Sequence, residues 1–270
     1  MTPTSHAQNW HDPPRGLVLA RDEVHVWRIA LDPPGHIVER LASFLSADEQ
    51  ARAARFLALI HRTRFQVARG TLRAILGRYL GREPGRIEFA YGEHGKPFLP
   101  GIDLRFNMAH SKDVALLGVS DGRELGIDIE AVRPLEDAER IVARFFSARE
   151  QADFFRVIPA ERQEAFFRGW VRKEAYIKAI GMGLALPLAD FDVTLAPGEP
   201  PRLLHVANQP DAPARWTFGE LDPGAGFQGA IAVEGGGWRL CGFAARGLWN
   251  EGLGHRTEVS ASRRTGVSPE

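Results

Sequence analysis

Over 270 residues, 34 Lys and Arg balance 34 Asp and Glu, and 44% of the chain is apolar. The balance gives no reason to expect a nucleic-acid track or an anionic membrane as partner, so any bound anion must be held by a local cluster. No apolar run reaches the roughly 18 residues that span a bilayer, and residues 1–16 lack a charged-then-apolar leader pattern, which predicts a soluble, cytoplasmic protein.

Residues 1–20 and 249–270 are polar and aperiodic and are expected to be mobile tails, with the folded part at 21–248. VHVWRIAL (24–31) reads as the first strand. SADEQARAARFLAL (46–59) opens on Ser46 with Glu49 three residues on, a capping-box pattern, and HRTRFQVARGTLRAILGRYLG (61–81) repeats apolar residues at helical spacing and stops at Gly81, so both are predicted helices. On them Arg62, Arg69 and Arg73 share one face and Arg52 and Arg55 another; most are expected to be solvated, one or two completing a phosphate site. RIEFAYG (86–92), LRFNMAH (104–110), VALLGVS (114–120) and ELGIDIEAV (124–132) are short and alternating or fully apolar, the pattern of strands. AERIVARFFSAREQADFF and ERQEAFFRGWVRKEAYIKAIG form a second helix-rich stretch ending at Gly181, followed by strands at FDVTL, WTFGEL, GAIAVE and WRLCGFAA. In the last of these Cys241, the one cysteine, reads as a small buried thiol.

ARGTLRAILGRYLG (68–81) and FRGWVRKEAYIKAIG (167–181) share an Arg-Gly-x-x-Arg start and a Gly end, and an Arg-Phe pair precedes each (Arg55-Phe56, Arg144-Phe145). This hints at an internal repeat. The expected fold class is α+β, with two similar α/β halves at 21–123 and 124–248, each a small antiparallel sheet packed on helices.

GIDIE (126–130) carries the strongest chemistry. Side chains alternate along a strand, so Asp128 and Glu130 point one way while Leu125, Ile127 and Ile129 point the other. Two carboxylates that close raise each other's pKa unless a cation lies between them, and a hard ion such as Mg²⁺ would serve. Taken alone, Asp-x-Glu reads as a solvated strand end that carries charge for solubility. On the later helix Glu174 falls within the apolar stripe of Phe166, Trp170 and Ile177, where an unpartnered carboxylate is costly. Lys178, one turn on, is one partner; a metal shared with Asp128 and Glu130 is another and leaves Lys178 to face an anion. FNMAHSK gathers Asn107, His110, Ser111 and Lys112 at a strand end, and EHGKPFLPG sets Lys96 in a rigid turn; both suit anion holding, and both suit plain polar turns.

HGKPF, FNMAHS, GIDIE, RFFS and WVRKEAYIKAIGMGL, in this order over roughly residues 40–195, resemble the 4′-phosphopantetheinyl transferases of the surfactin-synthetase-activating type. The resemblance implies a cleft between two pseudo-symmetric halves in a monomer, the first half carrying coenzyme A contacts and the second the metal and catalytic residues. It implies Mg²⁺, with Mn²⁺ possible, on Asp128, Glu130 and Glu174. Coenzyme A is the co-substrate, contacted by Arg55 at the 3′-phosphate and by Lys96, Asn107, His110 and Lys178. An apo acyl, peptidyl or aryl carrier protein is the partner, with no nucleic acid or membrane involved. Glu174, or a water it orients, takes the proton of the carrier serine, Lys178 neutralises the phosphate, and adenosine 3′,5′-bisphosphate leaves. Two residues depart from the pattern: Ala109 stands where relatives often have Ser, and Glu49 where some have Lys, which is expected to alter coenzyme A affinity. A Mg²⁺-dependent phosphodiesterase or pyrophosphatase would use the same carboxylates on water but leaves the GKP and His110 motifs unexplained. A non-catalytic coenzyme A or carrier-binding module is the other alternative, set against the presence of all three carboxylates and Lys178.

Overall fold

The computed structural model describes residues 9–250. In chain order its elements are β1 (Glu23–Ala30), α1 (Gly35–Ala42), α2 (Ala47–Ala54), α3 (Leu59–Leu80), β2 (Ala90–Tyr91), β3 (Pro97–Phe98), β4 (Leu104–Ser111), β5 (Val114–Asp121) and β6 (Leu125–Ala131). They continue with α4 (Ala138–Phe145), α5 (Ala148–Arg156), α6 (Arg162–Ile180), β7 (Phe191–Val193), β8 (Leu203–Val206), α7 (Ala212–Arg215), β9 (Trp216–Leu221), β10 (Phe227–Glu234), β11 (Arg239–Ala244) and α8 (Arg246–Asn250). The fold is α+β.

Four strands in the order β11-β1-β5-β4 make the first sheet, antiparallel except for the parallel β1–β11 pair. The antiparallel β6-β10-β9 makes the second, and β2–β3 and β7–β8 are short ribbons. Both faces of the first sheet are buried, which is why β5 reads as a continuous apolar run instead of alternating. Trp27, Ile29, Leu117 and Val119 join a core with Leu41, Leu72, Ile75 and Leu76 of α1 and α3. Val24, Val26, Val114 and Leu116 join another with Leu125, Ile127, Ile129, Ile231 and Val233 of the second sheet. The opposite face of the second sheet lies under α6, where Tyr176 and Ile177 share a core with Phe218, Ala230 and Ala232. The stacking order is therefore α3, first sheet, second sheet, α6. Both long helices end on a glycine in the left-handed region, Gly81 at φ 61° and Gly181 at φ 69°, as their sequences announce.

Several expectations need correction. The helix predicted over 46–59 breaks after Ala54: the chain turns through Arg55–Ala58, and Phe56 folds onto Phe65 of α3 at 5.4 Å. RIEFAYG is a strand only at Ala90–Tyr91, because Arg73 donates to the carbonyls of Pro84 and Ile87 at 3.2 and 2.8 Å, giving an irregular backbone the partners a ladder would supply. Arg69 and Arg73 are thus inward, not solvated. Within the expected N-terminal tail, residues 10–11 are pinned: His11 exchanges backbone hydrogen bonds with Gly242 and Ala244 beside β11, and Trp10 Nε1 donates to Asp222 O at 2.9 Å. Residues 1–8 and 251–270 lie outside the described residues. A division at 123/124 puts β11 in the second half, whereas it pairs with β1 in the first sheet, and Leu248 of α8 joins the core under α3. Cys241 is half-buried, not buried, on the outer strand β11. Helices α1, α7 and α8 and strands β3 and β8 have no counterpart among the predicted elements.

Candidate active site

Gly126 decides where the site forms. Helix α6 crosses β6 so closely that a Cβ on Gly126 would sit 2.1 Å from the carbonyl oxygen of Ala175 and 2.2 Å from the nitrogen of Ala179. Gly126, Asp128 and Glu130 share the strand face that looks at α6. The glycine lets the two backbones meet, and the carboxylates two and four residues on are carried alongside the helix that bears Glu174 and Lys178.

Asp128 is only 5% exposed. Lys178 Nζ donates to its Oδ1 at 2.5 Å, while its buried Oδ2 has no hydrogen-bond partner. Burial, opposed by Lys178 and reinforced by the charges of Glu174 and Glu130, pushes the Asp128 carboxyl up to about 7. Glu174 is half-buried, and burial first, then repulsion from Glu130, raises its carboxyl above the usual range against the pull of Lys178. Glu130, also half-buried, accepts from Ser111 Oγ at 3.0 Å and lies 3.7 Å from an Arg133 nitrogen, both at Oε2. Three carboxylates whose charges act on one another, one lysine and one orphaned buried oxygen offer the oxygen chemistry a hard divalent cation takes. As they stand, the three do not each bring an oxygen within 4.8 Å of the others, the approach that the ligand atoms of Glu23, His25 and Cys241 make among the described residues.

His110 stands at the edge of this group. Its residue is exposed, yet the protein around the ring desolvates it; that effect first, then the charge of Lys178, lowers its pKa against the pull of Glu130. The structure therefore brings Asp128, Glu130, Glu174, Lys178 and His110 together.

The other expected contacts are placed differently. Asn107 is buried and its Oδ1 accepts from Ile127 N–H at 2.9 Å, while Ser111 Oγ accepts from Ala131 N–H at 3.0 Å. These side chains, four residues apart on β4, join the edge of the first sheet to the edge of the second. Lys96 donates to Glu124 at 2.7 Å, Leu125 O at 3.1 Å and Ala179 O at 2.7 Å, tying the β2–β3 turn to the C-terminal end of α6. It also lines a cavity of about 530 Å³ with Phe98, Arg105, Arg215 and Trp216; none of the three carboxylates lines it. Arg55 is exposed at the end of α2. Ala109 is buried in the core between the sheets, and Glu49 is buried under Arg69 and Arg73, with hydrogen bonds of 2.5–2.8 Å.

Sequence reasoning missed two supports. Gly126 sits in a strand interior with no turn to require it, which signals close backbone approach. Lys173, the residue before Glu174, is fully buried and donates to Glu150 at 2.7 Å and to the carbonyls of Leu188 and Phe191 at 2.8 and 2.6 Å. It anchors the opposite side of α6 on α5 and β7. Because Lys173, Arg172 and the apolar residues together bury almost the whole circumference of α6, its apolar stripe is less one-sided than the sequence suggests.

A cluster of carboxylates with a mobile-length cation beside it is the kind of centre that holds a divalent ion against a phosphate-bearing substrate. Residues 124–233 match the family model described as the 4′-phosphopantetheinyl transferase superfamily. The 4′-phosphopantetheinyl transferase HetI of Nostoc sp. strain PCC 7120 is 45% identical over 235 residues, covering 85% of this chain and 95% of HetI. The 4′-phosphopantetheinyl transferase Sfp of Bacillus subtilis strain 168 is 33% identical over 158 residues, covering 58% of this chain and 69% of Sfp. A solved holo-(acyl-carrier-protein) synthase from Bacillus anthracis, in complex with CoA, covers 42% of this chain and 96% of its own at 20% identity and a TM-score of 0.34. The chain belongs to the 4′-phosphopantetheinyl transferase superfamily and is a transferase of that type. Among the described residues no helix is long and apolar enough to cross a membrane.

Proposed function

We propose that this enzyme transfers the 4′-phosphopantetheine arm of coenzyme A to a serine of an apo carrier protein, releasing adenosine 3′,5′-bisphosphate, and that it does so with Mg²⁺ as a monomer. The observation that carries the reading is the buried, unpartnered Oδ2 of Asp128 beside Glu130, Glu174 and Lys178. Mg²⁺, for which Mn²⁺ can substitute, supplies charge neutralisation and templating for the pyrophosphate. Asp128, Glu130 and Glu174 would hold it.

In this reading Glu174, half-buried on α6 one turn from Lys178, takes the proton of the carrier serine directly or through a water. The serine oxygen bonds to the β-phosphorus, and the bond from that phosphorus to the bridging oxygen breaks. Lys178 would turn from Asp128 to the charge gathering on the α-phosphate and its leaving oxygen. His110 would face a coenzyme A phosphate, Asn107 would offer its amide NH₂, and Arg55 is placed on solvent where it could meet the 3′-phosphate. Lys96, its ammonium held by three protein oxygens, would act by fixing the turn around it at the end of α6.

The cofactor would lie in a cleft between two related halves. Supporting the relation, a capping-box glutamate in each half reaches into its long helix: Glu49 of α2 bonds Arg69 and Arg73 of α3, and Glu150 of α5 bonds Lys173 of α6. Intact-protein mass spectrometry of apo carrier proteins incubated with the enzyme, coenzyme A and Mg²⁺ tests the function. A gain of one phosphopantetheine, abolished by EDTA and by Glu174→Gln, is expected; coenzyme A cleaved without transfer would replace this reading with a hydrolase.

A further inference from the structure

Ser111 ends β4 and pairs with Val114 across a two-residue turn in which Lys112 takes φ 51°, a left-handed conformation unusual for lysine. The turn fixes where the serine stands. Its hydroxyl accepts the backbone N–H of Ala131 at 3.0 Å and donates to Glu130 Oε2 at 3.0 Å. A hydroxyl has one hydrogen; with Ala131 N–H donating into the oxygen, that hydrogen is directed at the carboxylate. Glu130 itself is half-exposed on its strand, and its other neighbour, Arg133, is at 3.7 Å on an exposed side chain. Nothing on α6 donates a hydrogen bond to Glu130 among the described residues. The one short hydrogen bond that fixes its rotamer therefore comes from the first sheet, across the seam.

We propose that Ser111 is a positioning residue that holds Glu130 in the orientation needed to ligate a divalent cation, so that the end of β4 tunes metal affinity without touching the metal. The proposal rests on the reading of Asp128, Glu130 and Glu174 as the cation site. Side chains that orient metal ligands commonly set affinity by roughly 10- to 100-fold, and the coupling here runs through one named bond.

The test is Mn²⁺ binding to the whole chain, followed by the loss of the free Mn²⁺ electron paramagnetic resonance signal, with no substrate present. Ser111→Ala is expected to weaken Mn²⁺ binding by roughly 10-fold or more, while Ser111→Thr keeps the wild-type affinity. In a Glu130→Ala background, which removes both the acceptor and the ligand oxygen, the same Ser111→Ala change is expected to alter the affinity less than about 2-fold, because the bond it removes no longer orients a ligand. Equal losses in both backgrounds, or a Ser111→Ala protein that binds as tightly as wild type, would overturn the proposal while leaving the metal site standing. A wild-type chain that binds no Mn²⁺, or binds it equally after Asp128→Asn, would overturn the metal reading and the proposal with it. Should Ser111→Ala unfold, Ser111→Val against Ser111→Thr makes the same comparison between side chains of equal shape.

Discussion

Glu49 shows how a single residue can be misplaced by pattern and placed by physics. As a departure from lysine in related chains it suggests an altered coenzyme A affinity; in the structure it is 3% exposed, accepts from the Ser46 backbone at 3.1 Å, and is gripped by Arg69 and Arg73. Burial alone would raise its carboxyl, but the hydrogen bonds and charges of the two arginines outweigh that, and its pKa falls below the ordinary 4.5. Glu49→Gln leaves Arg73 buried without its counter-charge and should cost about 3–5 kcal/mol. The pH dependence has a definite sign. A lowered native pKa means stability that is present above 4.5 and lost as pH falls through the native value, so the gap between wild type and variant should narrow on acidification. Urea unfolding midpoints of both proteins across the acid range would read this, and a gap that stays constant would refute the pairing as its source. At this scale strand alternation and helical spacing were enough to put Asp128 and Glu130 on one face of β6 and Glu174 and Lys178 on the helix that crosses it, each of which also has an ordinary structural reading in sequence. The resemblance implies coenzyme A contacts for Asn107 and Lys96, and what sequence does not show is the protein groups each already meets: Ile127 N–H for Asn107, and Glu124 with the carbonyls of Leu125 and Ala179 for Lys96.

Between elements, the decisive contact is the crossing of α6 over β6. No side chain separates them at Gly126, and the atoms a methyl would meet are backbone, which cannot rotate away. Gly126→Ala must push the helix off the strand. Overpacking of this kind costs about 1–3 kcal/mol, and the displacement would also part Lys178 from Asp128 and Glu174 from Glu130. The expected result is a lowered melting temperature together with a transfer rate reduced far more than the melting shift alone explains at the assay temperature. A variant that melts and turns over like wild type would mean that the crossing has slack. The helices themselves were readable because apolar periodicity and glycine stops act locally: Gly81 and Gly181 end α3 and α6 where the sequence says they should. The break between α2 and α3 and the irregular path of Ile87–Phe89 were not, because each depends on a residue distant in sequence, Phe65 in one case and Arg73 in the other.

Across the whole molecule, the sequence repeat suggests two similar halves packed together, and the hydrogen bonding joins them into one unit. Strand β11 follows the second sheet in sequence and returns to the first, pairing Glu23 to Arg28 with Arg239 to Ala244, and α8 then seats Leu248 beneath α3. The two sheets also share one apolar core, in which Val26 and Leu116 belong with Ile127 and Ile231. Separating them would expose that core on both sides and leave β1 with an open edge. Sequence periodicity could not reveal this return, since β11 looks the same whichever sheet it joins. The chain should therefore unfold in a single cooperative transition, with tryptophan fluorescence and near-ultraviolet circular dichroism coincident in urea. Trp27 reports on the core beneath α3 and Trp216 on the core beneath α6, so the signals sample both sides of the seam. Removing residues 239–270 should abolish that transition rather than shift it, because β1 loses its parallel neighbour and the first core loses its cover. Two resolved transitions in the full chain, or a truncated chain that still melts cooperatively, would show that the halves are independent and that the C-terminal return is an appendage.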